Sequence, residues 1–111
     1  MKTKSMSKII CLATVVVAAL LLGTKTRADD KSAATYKAKC ATCHGADGKG
    51  DTPAGKSTKV RSFADPEVVK ASDGDLAGII EKGKSKMPGY GKSMKPEEIK
   101  DMVAYIRSLA K

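Results

Sequence analysis

Three observations predict an all-α domain built around a covalent staple. No stretch longer than a few residues alternates apolar and polar positions as a strand would. Ile99, Met102, Val103, Ile106, Leu109 and Ala110 fall on a single helical stripe. The third observation is scarcity: in 111 residues there is one Phe, three Tyr and no Trp. The 41% apolar content misleads, because residues 1–28 hold 16 of the apolar residues and Ala supplies 11 of those that follow. One domain of this length with so few large side chains needs a disulfide, metal or cofactor to complete its core. No internal repeat is visible.

The chain opens with Lys2, Lys4 and Lys8, then a 15-residue apolar run from Ile9 to Gly23, then a short polar stretch ending at Ala28 before Asp29 and Asp30. That order reads as a secretory signal, with Thr26 and Ala28 at the small-residue positions of a cleavage site. As a helix the run would span about 22 Å, against a hydrocarbon core of roughly 30 Å, so a cleaved signal is expected rather than an anchor. Cys11 would be discarded with it, and Lys8-Ile9-Ile10 lacks the small residues that lipid attachment there would need. The expected organisation is a signal peptide over 1–28 and one domain over 29–111, exported to the periplasm or beyond. Removing residues 1–28 takes away five basic residues and no acid, so the net charge falls from +9 to +4. The remaining lysines are spread out and aromatics are few, which argues against nucleic-acid binding.

From Ser32 to Cys43 the chain is Ala-rich and free of Gly and Pro, so a helix can deliver Cys40-Ala41-Thr42-Cys43-His44 at its C-terminal end. C-x-x-C-H is the attachment sequence of a c-type haem. Two thiols one helical turn apart can add to the two vinyl groups of a haem, and the adjacent His can then bind iron through a ring nitrogen. A thioredoxin-like pair would need an alternating α/β context. A zinc site would need further ligands, yet His44 is the only His. A plain disulfide would leave His44 unexplained.

Gly45, Gly48, Gly50, Pro53 and Gly55 then predict a long loop. Asp65-Pro66 opens a short helical turn through Lys70. Ser72 with Asp75 reads as a capping box for a helix through Leu76, Ile79 and Ile80, stopping at Gly83. Pro96 begins the last helix, with Glu97 and Glu98 in the first turn where the helix dipole favours acids.

A sixth iron ligand must come from Met87, Met94 or Met102, or else the position stays open to water or another nitrogen. Met102 belongs to the apolar stripe, and Met94 sits where it can pack against the start of the last helix. Met87 lies in Gly83-Lys84-Ser85-Lys86-Met87-Pro88-Gly89-Tyr90-Gly91, which has no apolar periodicity. It is the expected distal ligand. A His/Met pair raises the iron potential and closes both axial faces, favouring electron transfer over substrate binding.

From about Ser32 to Lys111 the chain resembles the small bacterial monohaem class I c-type cytochromes. The resemblance rests on Tyr36 ahead of Cys40-Ala41-Thr42-Cys43-His44-Gly45, on Met87-Pro88, and on Glu98-Ile99 through Tyr105-Ile106-Arg107-Ser108-Leu109. It implies a cytochrome c-like fold in which N- and C-terminal helices cross near Tyr36 and Tyr105. One covalent haem c would then pack as the core with an exposed edge. Relatives often carry Gly near the position of Ser32, where the helices approach; here Ser32 and Ala33 are small but not Gly. The resemblance also implies a Pro carbonyl accepting the His44 ring proton, for which Pro53 is the candidate, and it fits Phe63 as a wall of the haem pocket.

These readings favour a one-electron carrier over an enzyme. A peroxidase or ligand sensor would need an open iron and nearby acid–base groups, and no second His exists. A haem-bearing subunit of a larger dehydrogenase or oxidase uses the same domain and remains the alternative. The expected partners are redox proteins, with acidic patches facing Lys82, Lys84, Lys86 and Lys92. No small-molecule substrate is expected, membrane contact would be transient or through partners, and the protein should be a monomer.

Overall fold

In the computed structural model, residues 28–110 are described, and the expected signal peptide lies outside them. Among the described residues there are helices and turns but no strand. Helix α1 runs through residues 28–39, followed by α2 (Ala41–His44), α3 (Pro53–Thr58), α4 (Pro66–Lys70), α5 (Asp73–Lys82) and α6 (Pro96–Leu109). The all-α expectation holds, and among the described residues the isolated bridge between Lys84 and Met87 is the only extended pairing.

The helix boundaries follow local chemistry. Asp65 accepts the Glu67 amide at 2.9 Å and Pro66 occupies the first turn of α4. Ser72 accepts the Asp75 amide at 3.0 Å, capping α5. At α6 the Glu98 carboxylate accepts the Lys95 amide at 2.8 Å, while Pro96 spends no amide that the first turn could satisfy.

Helix α3 corrects the sequence reading, which placed a loop across 45–55. Thr52 caps it by accepting the Gly55 amide at 2.9 Å, and Pro53 sits in its first turn. Gly55 lowers helix propensity yet is required. A Cβ there would lie 2.3 Å from the Cys43 carbonyl oxygen and 2.4 Å from that of Gly50. Tertiary approach of α3 to α2 therefore outweighs propensity at this position.

The core consists of Tyr36, Phe63, Ile80, Met94, Ile99, Met102, Val103 and Ile106. Four of these are the α6 stripe, and α5 packs against it through Ile80. Each such side chain contributes roughly 1.5–3 kcal/mol of burial. Met94 and Met102 lie inside this cluster, as their packing roles predicted, and Met102 is 1% exposed.

The apposition of α1 and α6 is present. The Tyr36 and Tyr105 rings lie 5.3 Å apart between centroids, tilted by 54°. Ser32 is 7% exposed, so its small side chain is enclosed as Gly would be. Lys31 pairs with Glu98 across the same contact. On the opposite edge of α6, Arg107 donates to Asp73 at 2.6 Å and to the Ala71 carbonyl at 2.7 Å, fastening α6 to the start of α5.

Candidate functional site

The C-x-x-C-H segment sits at a small break in a nearly continuous helix. The Cys40 amide bonds the Tyr36 carbonyl at 2.8 Å, which continues the ladder of α1. The Cys43 amide then bonds Cys40 at 3.2 Å, and the His44 amide bonds the same carbonyl at 3.0 Å. Cys40, Cys43 and His44 thus share one turn, closed by Gly45, whose amide reaches Ala41. All three side chains are half-buried, and both thiols are free.

Three groups hold this turn in place. The buried Tyr36 hydroxyl donates to the Gly45 carbonyl at 2.6 Å, and burial pushes that phenol above its ordinary value. The Thr52 hydroxyl lies 2.7 Å from the Thr42 carbonyl and 3.0 Å from that of Cys43, besides capping α3. The Gly50 amide bonds the His44 carbonyl at 2.8 Å. Thr52 went unnoticed in the sequence, where the Thr-Pro pair ahead of Gly55 was its one signal.

Phe63, expected as a wall of the haem pocket, packs against His44. Their rings stack with centroids 4.9 Å apart and planes 22° from parallel. Phe63 is also edge-on to Tyr36 at 6.3 Å, and its amide bonds the Gly48 carbonyl at 2.9 Å. Pro53 does not take the role foreseen for it. His44 Nδ1 is buried without any hydrogen-bond partner, so no Pro53 carbonyl accepts from it. Pro53 opens α3, and the first carbonyls of a helix point along its axis into its own ladder.

The remaining candidate, Met87, is half-buried at the edge of the core, in the same partly buried shell as Cys40, Ala41 and Tyr90. Its segment turns back on itself: the Lys84 amide bonds Met87 at 3.1 Å and the Met87 amide bonds Lys84 at 3.0 Å. Gly83 permits the turn at φ +80°, and a Cβ there would meet the Met87 carbonyl oxygen at 2.6 Å. Tyr90 lies beside the attachment segment; burial and then the neighbouring Cys40 and Cys43 thiols push its hydroxyl upward. Lys82, Lys84, Lys86 and Lys92 are all exposed.

These residues fit a c-type haem. Burial lowers the His44 pKa and favours the neutral, ligating imidazole, while burial also pushes the Cys40 thiol upward. Among the described residues no cluster of three or more His, Cys, Asp or Glu side chains could hold a bare metal ion.

Comparison with known proteins agrees. The family described as Cytochrome C oxidase, cbb3-type, subunit III matches residues 27–106. Among solved structures, the KustC0563 c-type cytochrome is 34% identical, with a TM-score of 0.66; the match covers 72% of this chain and 98% of that one. No curated protein matches the sequence. A helical fold, a C-x-x-C-H turn and a family match over residues 27–106 together place the chain in the cbb3-type subunit III family of cytochrome c domains, as a small monohaem c-type cytochrome with covalently bound haem c.

Proposed function

We propose that this haem-binding electron carrier holds its haem through thioethers from Cys40 and Cys43, with His44 as proximal and Met87 as distal iron ligand. The observation that carries the reading is the single turn bearing Cys40, Cys43 and a half-buried His44, stacked against Phe63. The haem supplies reversible one-electron chemistry when bound. The chain's own residues enclose it, hold the imidazole and present lysines beside the Met87 segment. His44 is the only His, so no second imidazole remains for acid–base work, and the carrier reading needs none.

In this reading the protein is exported by its N-terminal segment and meets redox proteins outside the cytoplasmic membrane. Exposed Lys82, Lys84, Lys86 and Lys92 favour acidic docking patches on those partners, through weak steering that salt would screen. A second reading, a haem subunit of a larger oxidase, is favoured by the family's description.

Replacing Met87 with Ala tests the distal assignment. The ferric protein should lose its weak near-infrared sulfur–iron absorption, the potential should fall, and the ferrous protein should bind carbon monoxide. Met94→Ala should cost packing alone, because Met94 is enclosed in the core. The reverse pattern would transfer the ligand role to Met94. No effect from either variant would return an open-iron enzyme or sensor to first place.

A further inference from the structure

The segment from Gly83 to Gly91 is stitched mainly to the helix it leaves. The Tyr90 amide bonds the Ile80 carbonyl at 2.8 Å and the Gly91 amide bonds Glu81 at 3.0 Å. The Lys84–Met87 pair closes the turn on itself. None of these bonds reaches α1 or the cysteine turn that follows it. One side chain does: the Tyr90 hydroxyl donates to the Lys39 carbonyl at 3.1 Å, across 51 residues of sequence. Lys39 is the last residue of α1, at the break where the Cys43 amide turns to Cys40. Its ammonium also stands 6.0 Å from the Tyr90 ring centroid, a weak cation–π contact.

We infer that Tyr90 is a positioning residue whose hydroxyl ties the Met87 turn to the end of α1, next to the cysteine turn, and so sets how often Met87 leaves the iron. The inference rests on the proposed reading of Met87 as distal ligand. Mechanically, the Tyr90 ring packs on the edge of the core, as Met87 does, and the hydroxyl fixes the distance from there to the end of α1. Removing only the hydroxyl leaves packing intact and frees the turn to swing about its attachment at Ile80 and Glu81. Losing one net hydrogen bond should raise the population with Met87 displaced by about three- to tenfold.

Imidazole added to the ferric holoprotein reads that population, because its apparent affinity scales with the fraction of iron left open. Tyr90→Phe should raise imidazole affinity about three- to tenfold, while the unfolding equilibrium followed by far-ultraviolet circular dichroism shifts by no more than that same factor. In a Met87→Ala background the same change should add nothing, since no ligand is left to position. Unchanged affinity in Tyr90→Phe, beside a clear gain in Met87→Ala, would overturn the role of Tyr90 while leaving Met87 as ligand. An equal gain in both backgrounds would also overturn it, by showing that Tyr90 merely narrows access. If Met87→Ala itself left imidazole binding unaltered, the ligand assignment would be the part that failed.

Discussion

The segments around His44 and Met87 are both rich in glycine, yet they are secured in different ways. From Cys40 to Phe63 the chain is crossed by bonds that are mostly enclosed: Tyr36 to Gly45, Thr52 to Cys43, Gly50 to His44, Phe63 to Gly48, with the exposed Thr52 to Thr42 bond beside them. Gly45, Gly48, Gly50, Gly55 and Phe63 are all buried. From Lys84 to Gly89 only Met87 is even half-buried, and a single side-chain bond, from Tyr90, leads to α1. Regions with few buried contacts and exposed backbone bonds open first. On the proposed ligation, the His44 side of the haem would be held permanently and the Met87 side would be one bond from release.

The sharpest way to break the comparison is to remove what the firm side is built to carry. With Cys40 and Cys43 both changed to Ser, we predict little folded protein and no covalent haem, because the sparse core loses its largest apolar body. Intact mass after acid–acetone extraction checks this: the parent should exceed the bare polypeptide by one haem and the variant should match it. A parent matching the bare chain with a Cys40–Cys43 disulfide would refute the attachment.

Phe63→Ala should come next. Phe63 is 7% exposed and supports both His44 and Tyr36, so about 3–5 kcal/mol of stability should be lost. Lys86→Ala, on the exposed side of the Met87 turn, should stay within about 0.5 kcal/mol. Comparable losses in denaturant titrations would erase the distinction between the two segments. Tyr36→Phe isolates one bond of the firm side. It keeps the ring contacts with Phe63 and Tyr105 but strands a buried carbonyl, which should cost about 1–3 kcal/mol.

The same contrast explains what sequence alone could reveal. The α6 stripe, the Asp65-Pro66 and Ser72 caps and the C-x-x-C-H turn are local patterns, with causes lying within a few residues, and the structure reproduces them. Helix α3 was hidden because Gly55 reads as a loop residue until the Cys43 carbonyl is brought against it. Pro53 was matched to His44 by family habit, whereas its own neighbour Thr52 makes the bonds to the cysteine turn. The Tyr90–Lys39 tie spans 51 residues and has no local signature.

The smallest effect concerns the ion pair joining α1 to α6. Glu98 accepts from Lys31 and from the Lys95 amide, and the Lys31 hydrogen bond is the main reason its carboxyl is held below the ordinary value of 4.5. Glu98 raises Lys31 in return. A carboxyl lowered on folding lends stability that is complete above its unfolded value and is lost as pH falls through its folded one. Lys31, raised on folding, loses its share at the alkaline end. Lys31 is exposed, so salt should screen the pair and the gain should be slight. We predict that Glu98→Gln makes the fall of Tm on acidification below about 4.5 shallower, and that high salt does the same to the parent. Imidazole affinity, which reports on the Met87 side, should be the same in Glu98→Gln and parent at neutral pH. A change there would mean that loosening α1 against α6 is transmitted through Lys39 and Tyr90, and the two segments would then open as one unit.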